Sequence, residues 1–342
     1  MTNSLLKKFI RNNAIVFILL NSAGLLSYIF QVVLGRTLPP DQYGSFNSLL
    51  ATGALITTPI TILHLVFSRF IARINVQKLQ HIKSLLTISL KFILCIALGI
   101  FLIGLSFSPW LKNFLNTETT LPIILMLLAA CFSSFQQIII AVCEGMQRFL
   151  SLGMISGGGA LAKILFAILF VVILGWGVEG GLLALSFATF SALAYGIWQL
   201  QDVFKAQAVD LHSSSLMEMA RFSIPSFFMI TMVSIMCNID IVLARHYCLP
   251  DQAGYYATAT ILGRIAFFLP SSLLMVLFPS VAKATVSGSK DNHYLWVSLG
   301  LTFILSGGVF LVFFIAGQSI IQLLYGEQYY SAAPMLIIVA AA

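Results

Sequence analysis

Long apolar runs recur along the whole chain, and short polar stretches separate them. Nine runs are long and nearly uncharged, and a tenth begins near 331 and reaches Ala342. With approximate ends, the nine runs are 14–35, 46–68, 84–107, 120–143, 150–174, 178–200, 222–244, 254–282 and 294–317. An α-helix needs about 20 apolar residues to cross a bilayer, whereas the strands of a membrane barrel give shorter, alternating segments. The pattern therefore predicts an all-α, polytopic bundle of transmembrane helices.

The composition indicates that the outer surface of this bundle faces lipid. Hydrophobic residues make up 59% of the chain and charged residues only 8%, against about 25% charged residues in soluble domains. Lys7, Lys8 and Arg11 precede the first run as they would in a signal peptide. That run holds about 22 apolar residues, more than the roughly 7–15 of a cleavable signal. We therefore interpret it as the first span.

The basic residues of the loops fall mainly on one side of the predicted bundle. One set of alternate loops carries 12 of them: Lys7, Lys8, Arg11, Arg69, Arg73, Lys78, Lys83, Arg148, Lys205, Arg221, Lys283 and Lys290. The other set carries 3: Arg36, Lys112 and Arg245. Because cytoplasmic loops hold the excess of Lys and Arg, we expect a cytoplasmic (inner or plasma) membrane protein with its N-terminus in the cytoplasm. This asymmetry accounts for the net charge of +7 without a nucleic-acid partner.

A five-residue motif occurs twice, which indicates an internal duplication. Residues 40–44 read PDQYG and residues 250–254 read PDQAG, and at the same offset Gly53 aligns with Gly263. Six spans separate the copies, so the two halves have the same orientation, as in parallel-repeat transporters. The sequence predicts a six-helix lobe over 1–205 and a partial second lobe of about four helices over 206–342. We expect the second lobe to be truncated, with further spans in the natural chain.

Several segments around this repeat are similar to those of a known family. They are Leu34, Gly35 and Arg36 with Tyr43 and Gly44; Asn238, Asp240 and Arg245; Gly254 to Ala257; Leu262 to Arg264; Leu277 to Ser280; and Tyr325 to Glu327. Together they resemble the polysaccharide transporter branch, which includes O-antigen-type oligosaccharide flippases, of the multidrug/oligosaccharidyl-lipid/polysaccharide exporter superfamily. The resemblance implies a MATE-like transporter of 12–14 helices, with two pseudo-symmetric lobes around a central cavity.

Two cationic residues lie deep in predicted spans, where a charge costs at least ~2.5–3.5 kcal/mol and therefore needs a reason. Arg264 lies about ten residues into span 8 and shares a helix face with Tyr256 and Thr260. Lys163 lies at mid-depth in span 5, after Gly157 to Gly159. Both could contact the pyrophosphate or sugar of a substrate in a cavity. The alternatives are a structural ion pair or carbonyl ligand for Arg264, and snorkelling to the interface for Lys163.

The remaining candidates are weaker, and each has a structural alternative. Asp240 and Glu144 could couple transport to an ion or form ion pairs, with Arg245 or Arg264 as partners of Asp240. Arg36 and Arg245, at matching outer ends of spans 1 and 7, could attract anionic substrate or anchor helices. Polar residues that could line the cavity, or bond helix to helix, are Asn21, Gln31, Ser133 and Gln137.

These observations favour a flippase that carries a polyprenyl-pyrophosphate glycan across the membrane by alternating access. Alternatives are a multidrug exporter or a peptidoglycan lipid-precursor flippase of the same superfamily. A glycan polymerase is less favoured, because the outer loops hold few catalytic residue types. We expect no enzyme activity, no cofactor and no metal, since neither a P-loop motif nor a Cys/His ligand cluster occurs. Expected partners are the lipid-linked oligosaccharide and membrane lipids, with a glycan polymerase and glycosyltransferases as further candidates.

Overall fold

The computed structural model describes residues 22–73, 79–207, 209, 213–266 and 293–341, and this part of the chain is folded as helices joined by short turns. The helices are α1 (22–37), α2 (Pro40–Arg73), α3 (Leu79–Phe114), α4 (Leu121–Gly145), α5 (Phe149–Ala167), α6 (Gly177–Gln199), α7 (Gln201–Lys205), α8 (Ser213–Tyr247), α9 (250–266), α10 (His293–Tyr325) and α11 (Ala333–Ala341). A π-helical segment, Ile168–Ile173, continues α5, and a 3₁₀ helix, Glu327–Ala332, precedes α11.

Seven helices in the described part of the chain are long and apolar enough to cross a membrane. They coincide with the predicted second to seventh runs and with the ninth. The first and eighth predicted runs lie only partly within the described residues, as α1 and α9. The predicted all-α, multi-pass fold is confirmed.

Several of these helices extend beyond the apolar runs that predicted them. Helix α2 begins at Pro40 with a polar first turn, and α3 continues to Phe114 over 36 residues. At 1.5 Å per residue, 36 residues measure about 54 Å, well above the ~30 Å hydrocarbon thickness. Hydropathy marks only the part of a helix that lies in lipid, so the polar ends were missed.

The first of two compact units comprises Met1–Leu38 and Ser45–Tyr247. Its core includes Ile82, Leu86, Ile138 and Ile155, all with 0–1% of their surface exposed. Large apolar side chains also cover the outside, including Phe92, Leu102 and Phe107 of α3. Apolar residues on both the inside and the outside are what a bundle surrounded by lipid requires.

The second unit comprises Pro39–Gly44 and Cys248–Ala342, and within it the two copies of the PDQxG motif pack against each other. A Cβ on Gly44 would lie 2.7 Å from the backbone nitrogen of Gly254. A Cβ on Gly254 would lie 2.5 Å from the carbonyl carbon of Pro40. Both glycines are therefore required by the backbone contact. The neighbouring Tyr43 is fully buried, with its ring 5.8 Å from those of Tyr325 and Tyr329.

The compact units divide at Tyr247, whereas the sequence division into lobes falls near residue 205. Helix α8 belongs to the first unit because its side chains bond there. The Thr58 hydroxyl donates to Ser234 at 2.7 Å, and the Arg69 guanidinium lies 4.1 Å from the centre of the Phe222 ring. A compact unit is not the same as a duplicated lobe, so the division at 205 stays a prediction.

Candidate functional site

A cavity of about 500 Å³ lies among five helices of the first unit. Helices α1, α2, α4, α5 and α6 each contribute to its wall. Most of the lining side chains are small, and its polar members are Ser27, Thr57, Ser133, Gln136, Ser156, Lys163 and Thr189. The volume lies in the usual range of small-molecule sites, roughly 300–1,000 Å³.

Glycines and alanines create this space by bringing helices together without filling the interior. A Cβ on Gly159 of α5 would lie 3.1 Å from the Cβ of Ala192 on α6. A Cβ on Gly53 of α2 would lie 3.3 Å from the sulfur of Met126 on α4. Close approach of backbones at small residues is the usual way in which membrane helices pack. Gly159 therefore serves close packing, and α5 stays continuous through Gly157, Gly158 and Gly159.

Three of the five hydroxyl groups that line the cavity donate their protons to their own helices. Thr57 donates to the Gly53 carbonyl at 2.9 Å, and Thr189 donates to the Leu185 carbonyl at 2.7 Å. Ser133 donates to the carbonyl of Ala130 at 2.9 Å. The oxygen lone pairs of these groups remain available. The cavity is therefore able to accept hydrogen bonds from sugar hydroxyls at several points of its wall.

Lys163 is the one charged residue among the described residues that line the cavity. It lies 14 residues after Phe149, about 21 Å along α5, and about 15 Å before the end of the π-helical segment. The residue is half-buried where it lines the cavity. No acidic side chain of the described residues pairs with it. A charged ammonium inside a membrane bundle attracts an anion more strongly than it would in bulk water, because the effective dielectric constant is lower there.

The polar face of α4 differs by one position from the predicted one. Ser133 lines the cavity, but Gln136 lies beside it in the wall, and Gln137 is not among the lining residues. The other lining residues of α4 come three, four, seven and ten positions after Met126, and residues at these spacings share one face of a helix. That spacing of small and polar residues was the signal by which Gln136 could have been found.

Glu144 lies at the end of α4, away from the cavity lining, and faces a histidine. Its Oε2 atom is 3.0 Å from Nε2 of His64 on α2. This geometry fits the ion-pair alternative for Glu144. Asp240 of α8 is half-buried, with its Oδ1 atom shielded from solvent. An ion-coupling function stays a prediction for both carboxylates.

Arg245 closes the end of α3 rather than facing a cavity. Only 6% of its surface is exposed, and its Nε and Nη2 atoms donate to the carbonyls of Leu115 and Asn116, both at 2.9 Å. Carbonyls at a helix end have no partner in their own helix, and a cation there also meets the negative end of the helix dipole. The contacts fit the anchoring alternative. Arg36 is exposed at the end of α1, and its function at an outer entrance stays a prediction.

The predicted polar stripe of span 8 lies on α9 in the second unit. Thr260 is 4% exposed, and Tyr256 and Arg264 are half-buried. Because Lys163 belongs to the first unit and Arg264 to the second, their combined action on one substrate stays a prediction. Asn21 lies outside the described residues, and Gln31 is half-buried on α1 and does not line the cavity.

Comparison with solved structures defines the class to which this helical fold belongs. An inward-facing multidrug resistance MATE family transporter of the MOP superfamily superposes with a TM-score of 0.75 at 14% identity, over 92% of this chain and 75% of that one. The lipid II flippase MurJ, in an inward closed conformation, gives 0.71 at 12% identity, over 96% and 72%. The MATE multidrug transporter DinF-BH gives 0.68 at 15% identity, over 92% and 74%. The fold is that of MOP-superfamily transporters.

Residues 10–285 match the family model described as "Polysaccharide biosynthesis protein", and the chain belongs to this family. No curated protein gives a significant match to the chain. The resemblance stated from the sequence is confirmed. The chain is a multi-pass membrane protein of this polysaccharide biosynthesis family.

Proposed function

We propose that the protein moves a lipid-linked oligosaccharide, a glycan on a polyprenyl pyrophosphate, across the cytoplasmic membrane for cell-surface polysaccharide synthesis. The proposal rests mainly on Lys163, which lines a cavity inside the membrane bundle. This cation has no acidic partner among the described residues. Membership of the polysaccharide biosynthesis family supports a glycan as cargo. The charge and the family point to the same chemistry, an anionic phosphate joined to sugars.

Electrostatics separates this proposal from export of cationic drugs. In an environment of effective dielectric constant near 20, two unit charges about 4 Å apart interact by roughly 4 kcal/mol. Lys163 attracts a phosphate oxygen by this amount and repels a drug cation by the same amount. No carboxylate is among the described residues that line the cavity, so none offsets the positive charge of Lys163 there. A cavity with this charge favours an anionic cargo.

The size of the cavity limits what it holds. About 500 Å³ accommodates a pyrophosphate and the adjoining sugar, but not a long glycan. The hydroxyl oxygens of Thr57, Ser133 and Thr189 accept hydrogen bonds from that sugar, and Lys163 meets the phosphate. The site thus recognises the feature that all lipid-linked glycans share, which leaves a peptidoglycan lipid precursor as a second cargo of the same chemistry.

We infer that transport runs outward from the cytoplasm, and the charge pattern of the loops supports this direction. The excess of Lys and Arg on one set of alternate loops favours an N-terminus in the cytoplasm. Glycosyltransferases would load the carrier on that side, and a glycan polymerase would use it on the other. We propose that the transporter exposes its cavity alternately to the two sides, as other repeat-built transporters do.

Flipping in proteoliposomes tests the function of Lys163. A fluorescent lipid-linked oligosaccharide is reconstituted with the full chain, and its access to an external quencher or glycosidase is followed. A hydrogen bond to a charged group contributes about 1.5–3 kcal/mol, so Lys163→Gln should slow flipping about 10- to 150-fold. Lys91→Gln is the matched control, because Lys91 is exposed on α3 outside the cavity. Equal rates for both variants and the unmodified chain would refute the assignment.

The cargo is tested in the same vesicles. A lipid-linked oligosaccharide, a peptidoglycan lipid precursor and a cationic dye are offered in turn. Faster transport of the oligosaccharide supports the proposal, and faster transport of the precursor assigns the chain to the second cargo. Transport of the dye alone would overturn the proposal.

A further inference from the structure

A second cavity, of about 430 Å³, lies on the outer side of α5 in the first unit. Helices α1, α5 and α6 form its wall, which includes Leu26, Gly157, Gly158, Leu161 and Tyr195. Leu161 is 48% exposed on the surface that faces lipid. We call this space the α1–α5 groove. It is lined almost entirely by carbon, unlike the Lys163 cavity.

The α1–α5 groove and the Lys163 cavity lie on two sides of the same pair of helices. At 100° per residue, the groove residues of α5 centre roughly 140° around the helix from its cavity residues Ser156, Gly159, Ala160 and Lys163. On α1 Leu26 lines the groove and Ser27 lines the cavity, and these adjacent residues are about 100° apart around the helix. Only the seam between α1 and α5 separates the two spaces.

The seam is built from residues that leave it thin. Ala23 of α1 and Ala160 of α5 lie at the edge of the cavity face nearest the groove, and Gly157 of α5 lies at the adjoining edge of the groove face. A Cβ on Gly158 would meet nothing within 4 Å, and the same is true of Gly24 on α1. These glycines therefore are not needed for helix packing. Gly158 leaves space open in the groove, and Gly24 leaves space open in the cavity.

We propose that the α1–α5 groove holds the polyprenyl chain of the substrate while its pyrophosphate lies in the Lys163 cavity. This inference rests on the proposed function. Charge complementarity selects the occupant, because Lys163 lines the cavity on the other side of the seam and its ammonium suits the anionic end of such a lipid. A lipid chain cannot enter a cavity lined by Lys163, Gln136 and Ser133 without loss of its apolar surroundings, but it can lie in the groove.

The end of the groove carries the residues expected at a membrane surface. The Tyr195 hydroxyl accepts a hydrogen bond from Nε2 of Gln199 at 2.6 Å, and the Tyr195 ring lies 5.7 Å from that of Trp198. Trp198 is 60% exposed. Tyrosine and tryptophan prefer the interface between lipid tails and water. The groove therefore runs from the membrane surface toward mid-depth, the direction in which a lipid chain lies.

Photolabelling of the full chain in nanodiscs tests the groove. The probe is a polyprenyl pyrophosphate with a diazirine in its chain, and the labelled residues are mapped by mass spectrometry. We expect labels on Met154, Leu161 and Tyr195, which line the groove. Unlabelled polyprenyl pyrophosphate should compete for these positions, and phosphatidylglycerol should not. Equal competition by phosphatidylglycerol would mean a groove for bulk lipid and would overturn the proposal.

Gly158→Leu fills the groove from a position with free space and so should leave the fold intact. Each buried methylene changes a binding constant about fourfold, so exclusion of two methylenes should lower groove labelling about 15-fold. Gly99→Leu is the matched control, because a Cβ on Gly99 of α3 also meets nothing within 4 Å. Leu161→Trp is a second variant that narrows the groove. Unchanged labelling in both groove variants would overturn the proposal.

The same preparations separate failure of the groove from failure of the proposed function. If the groove is labelled but the protein does not flip the glycan, the groove does bind the polyprenyl chain and the flippase function is rejected. Flipping that persists at the normal rate in Gly158→Leu, with labels elsewhere on the protein, rejects the groove and retains the flippase function.

Discussion

The contact between the two PDQxG motifs should make Gly254 one of the least replaceable residues of the second unit. In Gly254→Ala the new Cβ would lie 2.5 Å from the carbonyl carbon of Pro40, 2.9 Å from its Cα, and nearer still to its oxygen. Real Cβ contacts under 3.0 Å essentially do not occur. All three obstructing atoms are backbone, so no side-chain rotation relieves the clash and the helices must move apart.

The expected cost can be estimated from two opposing terms. Overpacking a tight interior costs about 1–3 kcal/mol and occasionally more, and here rigid backbone places the cost at the upper end. Alanine is a better helix former than glycine by about 1 kcal/mol, which offsets part of it. A net loss of about 2 kcal/mol corresponds to a fall in melting temperature of roughly 4–8 °C for domains of 150–250 residues.

Thermal unfolding in detergent, followed by tryptophan fluorescence or by loss of the monodisperse peak, measures this fall. Gly308→Ala is the control, since a Cβ on Gly308 of α10 meets nothing within 4 Å. Gly44→Ala, whose Cβ would lie 2.7 Å from the Gly254 nitrogen, should be intermediate. If Gly254→Ala melts at the same temperature as Gly308→Ala, the helix contact is not as the structure describes it.

Two further predictions concern polar contacts at the helix ends. Arg245→Ala leaves two carbonyls at the end of α3 without a donor and should destabilise the protein by about 2–4 kcal/mol. Arg221→Ala is the control, because Arg221 is exposed on the same helix as Arg245. Equal melting temperatures for the two variants would contradict the capping function of Arg245. The hydrogen bond from Arg148 lowers the pKa of Asp202 below its ordinary value of 3.8. Because the folded-state pKa is the lower one, the pair stabilises the fold above about pH 4, and the contribution is lost as the pH falls through the folded-state pKa. Both side chains are partly exposed, so the pair contributes at most ~1 kcal/mol to stability. If an Asp202→Asn variant unfolds in acid with the same profile as the unmodified chain, the pair does not stabilise the fold.

Much of the fold was predictable because the hydropathy of a membrane span is a property of about 20 consecutive residues. The ends of the helices were not, since α2 gains its polar first turn from packing. There Tyr43 is buried against Tyr325 and Tyr329, almost 300 residues away along the chain. Hydropathy along the chain contains no information on such contacts.

The candidate site was also predictable in part. The depth of Lys163 in span 5 pointed to a cavity, because a mid-membrane charge needs polar surroundings. The choice between Gln136 and Gln137 depends on how α4 is rotated in the bundle, and the two positions differ by about 100° on the helix. Arg245 finds its carbonyl acceptors 129 and 130 positions away. Rotation and distant backbone partners are fixed by packing, which a single sequence does not show.

Transport of a lipid-linked oligosaccharide by the purified full chain is the most direct test of the central claim. Proteoliposomes are loaded with the fluorescent glycolipid, and its transfer between leaflets is timed with and without protein. We expect transfer that depends on the protein and falls about 10- to 150-fold in Lys163→Gln, while Lys91→Gln behaves as the unmodified chain. Transfer at the protein-free rate, or transfer that is equally fast with Lys163→Gln, would contradict it.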